Sequence, residues 1–503
     1  MKTLYRARRI RTQTHPATGE WVLIDGRHVQ RVGVDDPPQA DRTVDLPGAT
    51  LVPGFVDTHV HLTATGIAIG EADIAAASGK DELLDAARRR VAVSQGPVFV
   101  SGFDETGWER PVLPTLDELD ALTGEALAIR RADGHMTLAN TAAMRAADVL
   151  DLEGIERAPD GAPTGRVTRA ANERLRRWFA LAMADRDVQE LQLQAAALAA
   201  SRGITSVHEM SMPVEMGLRD LEVLLGHRDR LPVDVVPIVA TTDIPQVMAL
   251  RLPAIGGDLP VDGSVGARTA ALEEPYADGS GVGVLYHDEA ELLRFFEGGH
   301  GAGLQVGVHA IGDRAIEQVL TAWEGVYAAL DSRGRRHLRA RRHRIEHVEM
   351  PSDGQIERAA VLGLALSVQP AFDALWGGRG GLYETGLGWE RAAPMNPFRS
   401  FLDRGMEIGV GSDAPVTPLD PMLGVDAMEH HHAPEQRLTR AEAIRLSTIG
   451  GARLAHMEDK KGALGPGMHA DLVAFDDDPF ESDSVLGMRP ILSVSLGREV
   501  FAS

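Results

Sequence analysis

Two imidazoles stand two residues apart in DTHVHL: His59 and His61. In an extended chain, residues i and i+2 point to the same side, so both rings reach one cation. Alone the pair is weak evidence, because two polar residues at a strand end need no ion. Three more groups change the weighting. His309 ends the apolar run VGVHAIGD, His347 ends HRIEHVE, and Asp413 ends GVGSDAP. A buried, unpaired carboxylate is costly, so polar groups that end several apolar runs need a shared partner. Nitrogen and oxygen donors without sulfur suit Zn²⁺ best, with Mn²⁺, Fe²⁺ or Co²⁺ as alternatives.

The elements that must bring these groups together are short and apolar. Strand candidates are LVPGFVD (51–57), ITSVH (204–208), VDVVPIVA (233–240), DLPVDG (258–263), LQVGVHA (304–310), HRIEHV (343–348), LALSVQP (364–370) and EIGVGSD (407–413). Most precede amphipathic stretches such as DRAIEQVLTAWEGVYAAL. That alternation predicts parallel β/α units, and eight strands predict a (β/α)8 TIM barrel over residues 51–464. Such a barrel gathers the C-terminal ends of its strands at one mouth. The β-rich ends, 1–50 and 465–503, predict a small composite β-sandwich domain. The 140 residues of 64–203, between the first two strands, are too long for a structureless loop and predict an inserted lid subdomain. The Gly- and Trp-rich segment 372–398 is a candidate substrate loop.

Composition narrows the class. The 503-residue chain has 73 acidic and 51 basic residues, a net charge of −22, which disfavours nucleic acid as a partner. No apolar run approaches the roughly 20 residues of a membrane helix, and no apolar segment follows the basic N-terminal residues as in a secretory signal. With no cysteine, disulfides and thiolate sites are excluded, and a cytoplasmic location is the expectation. A small-molecule substrate is the expected partner; a homodimer is a base-rate expectation.

GFVDTHVHL, HAIGDRAI, RIEHVEMPS, GSDAPVTPLDP and GALGPGMHADLVAFDDDP, in this order, resemble the amidohydrolase superfamily, and within it the N-substituted formamide deformylase-like branch. The resemblance covers about residues 48–503. It implies a metal-dependent (β/α)8 barrel with a β-sandwich made from both termini. It also implies that His59, His61, His309, His347 and Asp413 are metal ligands and that Asp413 shuttles a proton. One position departs. Where relatives commonly carry a bridging, carbamylated lysine, this chain has Asp258, and no lysine lies between Lys80 and Lys460. An aspartate is several ångströms shorter, so one ion is preferred over two, with a pair bridged by Asp258 or Glu209 as the alternative.

Other candidates carry two readings each. Glu209 is a ligand, a base, or a partner that orients a ligand histidine; His208 packs. Arg268 holds a substrate carbonyl or carboxylate, or pairs with Glu273, Glu274 or Asp262. Asp104, Trp108 and His135 form a substrate roof, or, for Trp108, part of the insert's core. The triplet His430–His432 and the run Asp476–Asp478 read as solvated turns.

The expected chemistry is hydrolysis of a non-peptide C–N bond (amide, N-substituted formamide, cyclic amide or amidine). A metal-activated water attacks, Asp413 accepts and returns the proton, and His347 with Arg268 or His135 steadies the oxyanion. Two alternatives remain open: a metal-dependent decarboxylase, lyase or isomerase on the same ligands, and a non-catalytic small-molecule binding protein.

Overall fold

The structure, a computed structural model, describes residues 1–94, 96–132, 135–213 and 217–503. The chain divides into two units. One comprises Met1–His61, Ala196–Met212 and Arg228–Ser503; the other comprises Leu62–Ala195 and Pro213–His227. Among the described residues no helix is long and apolar enough to cross a membrane.

The first unit contains eight parallel strands. Asp234–Val239, Ile204–Ser211 and Phe55–Val60 form a three-stranded sheet. Ala254–Ile255, Gln305–Ala310, Arg344–His347, Ala365–Val368 and Glu407–Val410 form a five-stranded one. Every residue of Phe55–Val60, Ile204–Ser211, Arg344–His347 and Ala365–Val368 is buried. Burial on both faces explains why these strands read as continuous apolar runs and not as alternating ones.

Hydrogen bonds run between the margins of the two sheets. Asp413 N donates to His59 O (2.8 Å), and His61 N donates to Ala414 O (3.0 Å). At the opposite margin Gly256 N donates to Val239 O (2.9 Å). Gly411 permits the first of these approaches: a Cβ there would lie 2.6 Å from His59 Cβ. Asp57 reinforces it, its Oδ1 accepting from His59 N (3.1 Å) and Ser412 N (3.0 Å).

The fourth strand departs from the sequence expectation. It covers only Ala254–Ile255, not 258–263. The chain then passes through Gly256 and Gly257, both left-handed (φ 85° and 57°). Beyond them Pro260 lies opposite His309 in a parallel bridge, with Val261 N donating to His309 O (3.0 Å). A Cβ at Gly256 would come 2.1 Å from Gly307 O, so no other residue makes this turn without moving the fifth strand.

The β-rich ends form one continuous seven-stranded sheet, not two separate sheets. Its order is Arg498–Ala502, Pro490–Ser495, Leu472–Phe475, Arg42–Pro53, Lys2–Arg11, Thr18–Asp25, His28–Gly33. Register shifts interrupt Lys2–Arg11 between Arg6 and Ile10. Val22 and Val32 from one flank share an apolar cluster with Leu492 and Val494 from the other. A flat sheet cannot bring these together, so the sheet curls over its own core. The strand Arg42–Pro53 runs three residues beyond the boundary read from sequence. Asp478, expected in a solvated turn, is buried and accepts from Arg9 (3.2 Å) and Arg11 (2.7 Å).

The second unit carries its own sheet, ordered Val98–Phe103, Leu127–Arg131, Met136–Ala139, Pro163–Thr168, Ile155–Arg157. One apolar cluster includes Leu83, Phe103, Trp108 and Ile129, and a second includes Met144, Leu175 and Phe179. The stretch expected as a long insertion thus has strands and cores of its own.

Replacing Gly256 by Ala should destabilise the protein by about 2–4 kcal/mol through left-handed strain and overpacking. Chemical denaturation measures this. A change within 0.5 kcal/mol would show that the turn tolerates a side chain.

Candidate metal centre

Asp258 and Asp413 lie among four imidazoles. Asp413 Oδ1 is 3.1 Å from His61 Nε2 and 3.4 Å from His59 Nε2. Asp258 Oδ1 is 3.2 Å from His309 Nδ1, 3.3 Å from His347 Nε2 and 3.7 Å from His59 Nε2. Its Oδ2 is 3.6 Å from His61 Nε2. The five ligands expected from sequence therefore meet around Asp258. The Asp258 carboxylate faces both histidine pairs, while its expected inability to bridge two ions is a separate matter. Asp258 follows directly on the left-handed Gly256–Gly257 turn.

Each histidine spends one ring nitrogen on a protein acceptor. His59 Nδ1 lies 3.0 Å from Glu346 Oε2, and His61 Nδ1 lies 2.8 Å from Met210 O. His347 Nδ1 is 2.7 Å from Gln369 Oε1, and His309 Nε2 is 3.2 Å from Gly263 O. With those nitrogens donating, the other nitrogen of every ring presents a lone pair toward the carboxylates. This is how proteins orient histidines that ligate metals. Buried His59 Nε2 and Asp413 Oδ1 have no hydrogen-bond partner of good geometry. Ligand atoms of His59, His61 and Asp413 lie within 4.8 Å of one another, as do those of His59, Asp258 and His347. A donor set of imidazoles and carboxylates with orphaned inward atoms fits a divalent cation.

The electrostatics agree. Burial lowers the affinity of His59 for a proton, but Asp413 and Asp258 outweigh it and hold the ring well above 6.5. His61 and His309, against the same desolvation, are raised to about 9 by Asp413 and Asp258 respectively. His347 is lowered by burial and by the charge of His309. Asp258 and Asp413 resist burial and sit below the usual carboxylate range, chiefly because of His59. Without a cation, protons hold the carboxylates apart; with one, they must leave.

Beneath the site lies a buried ion pair. Glu346 accepts from Arg344 Nε (2.8 Å) and NH2 (2.9 Å), while Arg344 NH1 meets His208 Nδ1 (2.9 Å). Burial and the Arg344 charge keep His208 neutral, well below 6.5. Glu346 and Gln369 were not singled out from sequence. Glu346 sits directly before His347, but its partner His59 is remote in the chain.

The lesser candidates resolve differently. Glu209 accepts from the Ser211 hydroxyl (3.3 Å). Arg268 donates to Asp278 (2.7 Å) and to Val265 O (2.8 Å) and stacks on Tyr276, so its guanidinium is already engaged, by a carboxylate outside the three expected. Trp108 is a core residue of the second unit, its Nε1 donating to Ala77 O (2.8 Å). Asp104 caps a short helix by accepting from Thr106 N (3.0 Å). His135 precedes the strand Met136–Ala139 of that unit. His431 and His432 are not solvated: both approach buried Asp373, at 3.3 and 2.5 Å.

A cavity of about 390 Å³ opens onto His61, Asp258, His309, His347 and Asp413. Phe372, Trp376, Leu382 and Tyr383, all from the 372–398 segment, line it. So does Glu349, whose carboxyl burial pushes up to about 7 while Tyr383 pulls the other way. His347, Val348 and Asp413 have left-handed backbones (φ 72°, 52° and 56°), strain of the kind that gathers at functional sites.

The model of the amidohydrolase family matches residues 42–501. The chain belongs to the amidohydrolase family. It is 29% identical to the putative amidohydrolase YtcJ of Bacillus subtilis over 88% of this chain and 86% of the relative. It is 25% identical to the N-substituted formamide deformylase of Arthrobacter pascens, over 92% of this chain and 90% of that one. A crystal structure of an uncharacterized metal-dependent hydrolase from Pyrococcus horikoshii superposes with a TM-score of 0.77 at 25% identity, covering 96% of this chain and 99% of the other. For this amidohydrolase family member, the turn through Gly256 and Gly257 puts Asp258 at the centre of the histidine cluster.

Two predictions follow from the geometry. Apparent Zn²⁺ affinity should fall by roughly tenfold or more per pH unit as pH drops from 9 to 6, because His61 and His309 must surrender protons; a competition titration with a chelator measures it. Glu346→Ala should cost about 3–5 kcal/mol, since it strands the Arg344 charge in the interior; denaturant unfolding reads the loss.

Proposed function

We propose that this protein is a metal-dependent hydrolase of a non-peptide C–N bond, built on a closed (β/α)8 barrel. The observation that carries the reading is the inward presentation of four imidazole nitrogens around Asp258 and Asp413, each ring fixed by a protein acceptor. The hydrogen bonds Asp413 N to His59 O and Gly256 N to Val239 O support closure of the ring of strands. The named formamide deformylase relative supports the bond class.

His59, His61 and Asp413 would hold the ion, with Asp258 beside them and His309 and His347 on its far side. We favour one ion per chain: both ligand trios draw on His59, whose Nδ1 faces Glu346, leaving Nε2 for a single ion. Zn²⁺ suits the donor set best. When bound, the cation polarises a carbonyl and lowers the pKa of water from about 15.7 toward about 7.

The chain's own groups do the rest. Asp413, a carboxylate depressed by His59 and His61, takes the proton from the attacking water and returns it to the departing nitrogen. His59 remains oriented by Glu346 and His61 by the Met210 carbonyl, so neither is free to exchange roles. His347, neutral and donating through Nδ1 to Gln369, turns its Nε2 lone pair toward Asp258, so it has no proton to offer an oxyanion. The apolar wall of Phe372, Trp376 and Leu382 holds the substrate body and excludes water.

Asp413→Asn should reduce turnover of an N-aryl formamide by at least about 10³-fold while leaving the fold intact, since general acid–base catalysis is lost together with a ligand charge. Steady-state kinetics and circular dichroism check this; activity above a tenth of wild type would remove Asp413 from the role. Elemental analysis should find one transition-metal equivalent per chain. Two equivalents would show Asp258 bridging a pair.

A further inference from the structure

The proposed chemistry leaves one group in the cavity unused. Glu349 lines the same space as the metal centre, is 3% exposed, and its Oε2 has no hydrogen-bond partner of good geometry. Beside it the Tyr383 hydroxyl, 2% exposed, also lacks a well-formed bond, although the two are close enough to influence each other's ionisation. The backbone at this point is tightly held. His347 and Val348 are both left-handed, and Asn396 N donates to Glu349 O (2.9 Å). Glu349 is thus fixed in place by the turn that also sets His347.

Leaving a buried carboxyl oxygen unpaired is costly, because its desolvation goes uncompensated. Proteins seldom retain such a group in the core without a use for it. Apart from the Trp376 indole and the Ser264 hydroxyl, the surrounding wall (Val265, Ile311, Phe372, Leu382 and Val416) is apolar, and the buried Asn396 Nδ2 beside Tyr383 is likewise without a well-formed bond. The Tyr383 hydroxyl leans toward the carboxyl without a well-formed bond, so Glu349 Oε2 stays incompletely satisfied and a donor on a ligand in the cavity would complete it. An apolar body suits that wall, the metal centre takes the scissile carbonyl, and Glu349 with Tyr383 accepts a hydrogen bond from elsewhere on the same molecule.

We propose that Glu349 and Tyr383 form a specificity subsite, and that the substrate is an apolar, ring-bearing amide carrying a hydrogen-bond donor, an amino or hydroxyl group, away from the scissile bond. The inference rests on the hydrolase reading for the position of the scissile carbonyl. A site built to accept a hydrogen bond discriminates strongly against an analogue that lacks the donor, because its own polar atoms are then left unpaired.

The test uses metal-loaded, full-length protein and binding instead of turnover. Benzohydroxamic acids anchor on the metal through the hydroxamate; 3- and 4-amino derivatives are compared with their 3- and 4-methyl counterparts by isothermal titration calorimetry. In the wild type, one amino compound should bind at least about tenfold tighter than its methyl partner, the size expected of a hydrogen bond to a carboxylate. In Glu349→Met the ratio should collapse to within about twofold, while Glu349→Gln, which keeps one acceptor oxygen, should retain part of it. Equal binding of each pair by the wild type overturns the proposal. So does a ratio unchanged in Glu349→Met, which would assign the residue a purely structural role. If Glu349→Met does not fold, Glu349→Gln and Tyr383→Phe are read instead, and unchanged ratios in both overturn it. Failure of any hydroxamate to bind overturns it together with the metal site. Discrimination without turnover of any amide would sink the hydrolase reading alone and leave the subsite standing.

Discussion

Two carboxylates buried among four imidazoles set the terms for the rest of this molecule. Neither Asp258 nor Asp413 could remain ionised in such a place without cationic neighbours, and the rings could not hold their positions without outer acceptors. Glu346, Met210, Gln369 and Gly263 supply those acceptors from the first unit's own strands and loops. The cost of burying Glu346 is met by Arg344, which in turn leans on His208 and on the Thr58 carbonyl (2.9 Å). A single donor set thus propagates into a chain of obligations that reaches under the whole site. Removing one member leaves another charge uncompensated.

The parts of this arrangement legible in the sequence were those encoded by local spacing. His59 and His61 are two residues apart in a strand, and His309, His347 and Asp413 each follow an apolar run, so their convergence could be inferred before any geometry was known. Seven of the eight strand candidates overlap an observed parallel strand; the exception is 258–263, which follows the Ala254–Ile255 strand across the Gly256–Gly257 turn. What could not be read was anything that depended on where the backbone goes between elements. That Asp258 faces all four histidines depends on the left-handed turn at Gly256–Gly257, which no sequence pattern announces. Arg268 pairs with Asp278, ten residues on, across a loop whose path no periodicity announces. His431 and His432 looked like a hydrated triplet, but the buried carboxylate between them comes from Asp373, which lies near a different strand end. Glu349 passed unnoticed because burial of one carboxyl among many is not a property of its neighbours in the chain.

The cavity shows the complementary division of labour. The polar floor is made by strand ends, which are rigid and set by the sheets; the apolar wall is made by the 372–398 segment, with four short helices at Pro370–Trp376, Leu382–Leu387, Trp389–Ala392 and Phe398–Asp403. Chemistry is therefore written on the scaffold, and selectivity on a connection that can vary without disturbing it. Phe372 joins the two, lying parallel to the His347 ring at a centroid distance of 6.0 Å.

The sheet shared by the two chain ends has a bearing on biogenesis. Arg42–Pro53 pairs with Leu472–Phe475, and only Gly54 separates it from the strand that carries His59. Lys2–Arg11 can pair with Arg42–Pro53 at once, but the register of that segment against Leu472–Phe475 is set only after more than four hundred further residues have been made. The strand that carries His59 is thereby tied, through Gly54, to a pairing of very high sequence separation, the kind of contact that forms slowly.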